Sequence, residues 1–386
     1  MDQNKTCTYI IFLISSLLKD TQPPEKPEDI SFEDIYRMAE KHHVRNMCFY
    51  AIEKLAEKPE QKLYEKWKQY VYVSEVQSAV QLSERDSVIS ALQRAEIDCL
   101  PLKGFFLKEM YPRPEYREMA DLDILIRPET EKAVEQVMAA NGYIIKENNE
   151  QSAHCVYSKP PFMTVEMHRR LFIDDFFEDH KLQRDSLPMV SDPWNTAFLS
   201  ERPFVYSFSP EDNYIFLILH LAKHYYYSGI GLRQFVDIWL FNQKYKIDKT
   251  YVYNKLSGTK MKEFCINTEK LIDIWFNGGE MLPELTEMEE FIFSSGVYGN
   301  LNHRISNRIK MYQGDDPKSH LMARYALYRM FPPLSFMKKY YPYVRKHELL
   351  LPAAWIHRLV IKVFGKNSPA IRELRVFLKL RNKQDK

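Results

Sequence analysis

A lysine and a glycine, Lys103–Gly104, close an apolar stretch that alternates like a strand, IDCLPLKG. A strand that ends there and runs into a helix exposes backbone N–H groups at the helix start, where partial positive charge collects and a phosphate can sit. Gly104 lets that phosphate approach the backbone, and the Phe105 amide follows in the same turn. Seventeen residues beyond Gly104, Asp121 and Asp123 stand two apart in DLDILI. The two-residue period of a strand sends both carboxylates to one face while Leu122 and Ile124 point into a core. Carboxylates that close repel unless a cation lies between them, and a hard divalent ion such as Mg²⁺ or Mn²⁺ takes such oxygen ligands readily. A second candidate strand in TVEMHRRL, 164–171, puts Glu166 and His168 on one face and Val165 and Met167 on the other. Beside the Asp121 strand, Glu166 becomes a third carboxylate. Three acids next to a phosphate cradle are what metal-assisted phosphoryl or nucleotidyl transfer requires, one of them accepting the nucleophile's proton. His168 serves best as a donor that orients Glu166. Arg117, four residues before Asp121, is placed to grip a triphosphate through a charge-assisted fork.

Two further sets carry chemistry. His220 and His224, at i and i+4, share a helix face and could bind a transition metal, although the spacing supplies no third ligand and the aromatic neighbours favour packing between helices. Arg233 and Asp237 repeat the i, i+4 spacing and read most simply as an intrahelical pair. The last 36 residues hold nine Lys or Arg against two acids, interleaved with Trp355, Ile356, Leu359, Val360 and Val363. This basic tail reads first as a solvated helix face, and otherwise as a contact for a polyanion such as RNA or an anionic membrane surface.

The elements that must position these residues follow from periodicity. Residues 1–95 are helical almost throughout, with a break near His42 and one or two long helices after Pro59. From about 96 to 175 the order is strand, short helix, strand, helix and several strands, with Gly142 closing the second helix in the left-handed conformation. Residues 176–386 return to helix after a polar, Pro-punctuated connection; Ser209 caps a helix that begins at Pro210, and two helices meet at the Gly229–Gly231 turn.

Composition agrees. The chain has 386 residues and only 11 glycines, about 3% against a usual share near 7%, which disfavours a dinucleotide-binding fold with its glycine-rich turn. A formal charge of +2 is too balanced to advertise a polyanionic partner by bulk charge. Five scattered cysteines without a C-x-x-C pair fit reduced thiols. The apolar run at 8–18 is too short to span a bilayer and lacks a cleavage site after it, so it reads as a core helix, with a signal sequence as the lesser alternative; no transmembrane segment and a cytoplasmic location are expected.

The run L-K-G, then Tyr-Pro, then R-x-x-x-D-x-D followed by apolar residues, then an acid-x-His strand, resembles the uncharacterised nucleotidyltransferase family of bacteria, a branch of the DNA polymerase β-like superfamily. H-L-A-K-H followed by L-R-x-x-x-D, holding His220, His224, Arg233 and Asp237, extends the resemblance into the helical part. It implies an α+β fold, a small mixed sheet embedded in a predominantly helical chain. It also implies metal ligation and catalysis by Asp121, Asp123 and Glu166, with NTP as substrate. Lys103, Gly104, Phe105 and Arg117 would bind the nucleotide, and His168, His220, His224, Arg233 and Asp237 would line the cleft. The acceptor, whether protein, RNA or small molecule, is not specified. Two positions depart from the superfamily pattern: Phe105 replaces a second small residue after the glycine, and Glu166 replaces an aspartate. These departures define the rival expectation of a catalytically inactive nucleotide-binding or protein-interaction module. A third is a helical metallohydrolase built on His220, His224 and Asp237.

Overall fold

The structure, a computed structural model, describes residues 3–148, 152–172, 187–297, 299, 327 and 330–364. Four helices come first: α1 (Gln3–Leu18), α2 (Phe32–Lys41), α3 (Arg45–Ile52) and α4 (Gln61–Arg94). The break near His42 separates α2 from α3, and the stretch after Pro59 is one unbroken 34-residue helix. Then follow β1 (Cys99–Pro101), α5 (Gly104–Leu107), β2 (Leu122–Ile126), α6 (Glu131–Ala140), β3 (Ile144–Asn148), β4 (His154–Lys159) and β5 (Met163–His168). Gly142 follows α6 at φ +81°, where a side chain would be strained.

The five strands form one mixed sheet in the order β1-β2-β5-β4-β3. Only β2 and β5 run parallel, in a register that sets Asp123 beside Glu166 and Leu125 beside His168. Alternation then sorts the faces. Leu122, Ile124, Ile126, Val165 and Met167 pack against Val88, Ile89 and Leu92 of α4 and Val134 and Met138 of α6. Asp123, Glu166 and His168 are left on the opposite face. The chain is therefore α+β, a small mixed sheet within a predominantly helical protein.

Because α4 supplies part of the sheet's own core, Leu92→Ala is expected to cost about 2–5 kcal/mol through a cavity under β2 and β5. Urea unfolding should show a lower midpoint at unchanged slope. A loss near zero would mean that α4 does not cover the sheet.

One element lies outside the sequence expectation. Within the Pro-punctuated connection, β6 (Phe198–Leu199) and β7 (Tyr206–Ser207) form a two-residue ladder, too short for periodicity to reveal. Next come α7 (Pro210–Tyr227), whose Ser209 Oγ accepts the Asp212 N–H at 3.1 Å as an N-cap does, and α8 (Leu232–Lys244).

Two compact units are distinguishable, Met1–Tyr225 with Ile230–Tyr298 and Tyr226–Gly229 with Gly299–Lys386. Every element so far lies in the first, apart from the last turn of α7. In the second, Met337, Val344 and Ala354 form a small core. There Arg358 is buried with its guanidinium 5.4 Å from the Phe336 ring. The rest of the basic tail from residue 365 onward lies outside the described residues. No described helix is long and apolar enough to cross a membrane. All five cysteines are buried and free of disulfides.

Candidate functional site

The parallel β2–β5 pair builds the centre of the site. Asp123 is 2% exposed, and its Oδ1 lies 2.9 Å from both His168 Nε2 and Lys103 Nζ. His168 Nε2 also lies 3.4 Å from Glu166 Oε2, so one imidazole bridges the two carboxylates. Burial alone would raise the Asp123 pKa, but the Lys103 charge and the His168 hydrogen bond outweigh it and hold the carboxyl well below the usual range. Glu166 is likewise held low, burial being overcome chiefly by His168. His168 moves the other way: burial would discharge it, but the two carboxylates raise its pKa and favour the imidazolium. Asp121, one residue before the strand, is pushed up to about 6 by burial and by the Asp123 charge.

His154 is the residue that sequence reasoning missed. On β4 it is paired with His168, and Cys155 and Tyr157 take the core face. Its Nδ1 therefore reaches to 3.6 Å from Glu166 Oε2. The alternation of the HCVYS strand was its signal, readable only once β4 is known to lie antiparallel beside β5. His154, Glu166 and His168 each offer an atom within 4.8 Å of the others, the one such group among the described residues. Asp121 and Asp123 are not members of that group.

Helix α7 presents the second missed residue. Lys223 shares a face with His220 and His224 by i, i+3, i+4 spacing. Burial and the nearby Lys103 charge lower its pKa, while Asp123 and Glu166 work against that shift. His220 Nε2 accepts from Lys103 Nζ at 3.0 Å and lies 3.3 Å from His224 Nε2. Both imidazoles are kept neutral by burial and by the adjacent Lys103, His224 being lowered to about 3. Lys103 is thus held between a carboxylate and a neutral histidine, and its own backbone sits at φ +32°, a strained value for a lysine.

Other expected residues take different places. The Phe105 amide, expected to cradle phosphate, instead donates to the Leu102 carbonyl at 3.1 Å. Its ring packs on the core cluster with the Arg85 guanidinium 4.8 Å from its centre, so the bulky side chain leaves the turn. A Cβ at Gly104 would come 2.7 Å from Met119 Sδ, so a larger residue there would displace the buried methionine. Arg117, expected at a triphosphate, is buried and forks onto Asp237, Nε to Oδ1 at 2.7 Å and a terminal nitrogen to Oδ2 at 3.0 Å. Tyr111 donates to the same Oδ1 at 2.8 Å. With both Asp237 oxygens engaged, the intrahelical pair with Arg233 does not form; Arg233 donates to the Glu118 carbonyl at 2.6 Å. For the same reason Asp237 does not complete a metal site with His220 and His224 among the described residues.

No curated protein and no solved structure matches the chain. A family model described as uncharacterised nucleotidyltransferase matches residues 28–277, a span that contains the sheet, α7 and α8. The chain accordingly belongs to the uncharacterised nucleotidyltransferase family.

Proposed function

We propose that the protein transfers a nucleoside monophosphate from an NTP to a hydroxyl or phosphate acceptor with the help of a divalent metal, as a bacterial member of the DNA polymerase β-like superfamily. The reading takes residues 96–175 as the nucleotide-handling core, flanked by helical regions 1–95 and 176–386. One observation carries it: Asp123 and Glu166 are neighbours in register on parallel strands, with Lys103 and Lys223 facing them.

The donors suit a metal. Glu166, His154 and His168 stand 3.4 and 3.6 Å apart across Glu166 Oε2, close to the roughly 3.0–3.4 Å that separates ligands about 2.1 Å from one ion. A mixed nitrogen and oxygen set favours Mn²⁺ over Mg²⁺, which prefers oxygen alone. Such an ion, when bound, offsets negative charge on phosphoryl oxygens.

The chain's own groups have distinct tasks. Lys103 and Lys223 attract the triphosphate and neutralise it. Asp121, with its raised pKa, is suited to accept the proton of an acceptor hydroxyl at Oδ. In metal-free protein His168 holds the Asp123 and Glu166 carboxylates at a fixed separation through the proton on Nε2, and to ligate an ion it would first give that proton up to solvent. Arg117, tied to Asp237, fixes the segment that leads into Asp121.

The test is incubation with each α-labelled NTP in Mn²⁺, in Mg²⁺ and in EDTA. Label transfer in Mn²⁺ exceeding that in Mg²⁺, and none in EDTA, is expected. Transfer that survives EDTA would end the metal reading.

A second reading, an inactive module that binds nucleotide or a protein, is favoured by the Lys103–Asp123 contact. The cation meant for phosphate already has a carboxylate partner at 2.9 Å. Calorimetry separates the two, since the module binds NTP without turnover.

A further inference from the structure

A cavity of about 220 Å³ lies between α4 and the 108–120 segment. It shares Arg117 with the site above and otherwise uses different residues. Four polar side chains of α4, Tyr70, Ser74, Gln77 and Gln81, line it at helical spacing, an arrangement that a core would fill with apolar residues.

The opposite wall carries three cations, two of them paired with acids that do not line the cavity, Arg117 with Asp237 and Arg45 with Glu40. Lys108 is 1% exposed, and its Nζ has one hydrogen-bond partner among the described residues, the Gln81 amide oxygen at 3.3 Å. A buried ammonium with a single long neutral partner is costly. Arg117, 4% exposed, turns two nitrogens to Asp237, and its third, Nη1, has no partner among the described residues. Arg45 Nε is also buried and unpartnered, while Nη1 of the same side chain goes to the exposed Glu40. The carboxylate that lines the cavity is Glu118, and its two oxygens accept from Tyr70 O–H at 2.8 Å and from the Asn46 backbone N–H at 3.4 Å. With Arg117 paired to Asp237 and Arg45 to Glu40, Lys108 is the cation of this wall without an acid in contact among the described residues. Burial and the Arg117 charge lower the Lys108 pKa to about 7, and the Glu115 charge only partly opposes them.

We propose that this cavity binds a small oxyanion, a phosphate or carboxylate group, held by Lys108, Arg117 and Arg45. The volume is below the roughly 300–1,000 Å³ of drug-sized ligand sites, which selects a small ion or the charged end of a larger molecule over a whole nucleotide. An anion there would supply a counter-charge to Lys108 and a further one to the two arginines. It would also brace the segment running through Met119 to Asp121. The inference does not depend on nucleotidyl transfer.

Inorganic phosphate and, separately, acetate are titrated by calorimetry into Lys103→Met protein, so that the carboxylate site contributes least, at ionic strength held constant with chloride. Binding of one of the two is expected, and which one binds identifies the source of the oxyanion. Adding Lys108→Met should weaken it at least 10-fold. That variant loses an uncompensated buried charge and should fold at least as stably; Arg45→Gln, on another element, is the second probe and should also weaken binding. Absence of binding by both anions, or affinity unchanged in both added variants, would overturn the proposal.

Discussion

Asp123→Asn is expected to lower nucleotide transfer by about 10³-fold, equivalent to about 4 kcal/mol of lost transition-state stabilisation. The substitution keeps the shape of the side chain but removes the charge that meets Lys103 and His168 at 2.9 Å. Three consequences follow from the geometry. Lys103 loses its anionic partner and stays with the neutral His220. His168 loses the larger of the two influences that keep it charged, so its pKa falls. Asp121 loses the neighbour that, after burial, contributes most to raising it to about 6, so its titration moves back toward the ordinary carboxylate range. The last shift is measurable by carboxyl carbon NMR in metal-free protein, independently of turnover. Full activity in the variant would remove Asp123 from the chemistry, while an unmoved Asp121 titration would show that the two acids do not interact.

The legible part of this site was the part encoded by short-range alternation. DLDILI and TVEMH each place acids opposite apolar residues, and the apolar sides do enter one core under α4 and α6. Their parallel pairing, which sets Asp123 against Glu166, is a long-range fact that neither segment contains. His154 was hidden for the same reason, since its position depends on the antiparallel turn from β4 into β5. Arg117 illustrates a different limit. Its distance from Asp121 in sequence suggested a phosphate ligand, but a guanidinium is drawn to whichever carboxylate folding brings near, and α8 delivers Asp237 from 120 residues away. Phe105, by its position after Gly104, belongs to the phosphate turn in sequence and would crowd it. The ring rotates into the core instead, a choice set by Arg85 and by tertiary packing.

The Arg117–Asp237 pair yields the second large expectation. Both side chains are 5% exposed, so Asp237→Ala leaves a buried guanidinium and the Tyr111 hydroxyl without an acceptor. Removing one member of a buried pair costs about 3–5 kcal/mol, which urea unfolding would record as a lower midpoint. The double replacement Arg117→Met/Asp237→Leu should be less destabilised than Asp237→Ala, because no charge is stranded; only the Tyr111 O–H then lacks a partner, at about 1–3 kcal/mol. A loss below about 1 kcal/mol for Asp237→Ala would mean that the pair is solvated and does little for the fold. The same variants decide the role of Arg117. If it anchors the segment ahead of Asp121, Arg117→Met lowers kcat and leaves the KM for NTP nearly unchanged, since the proposed function gives the phosphates to Lys103 and Lys223. If it grips the triphosphate, KM rises while stability barely moves. The fork onto Asp237 at 2.7 and 3.0 Å favours the first outcome, because it commits two of the three guanidinium nitrogens to a buried, charge-assisted pair and leaves Nη1 alone for any phosphate.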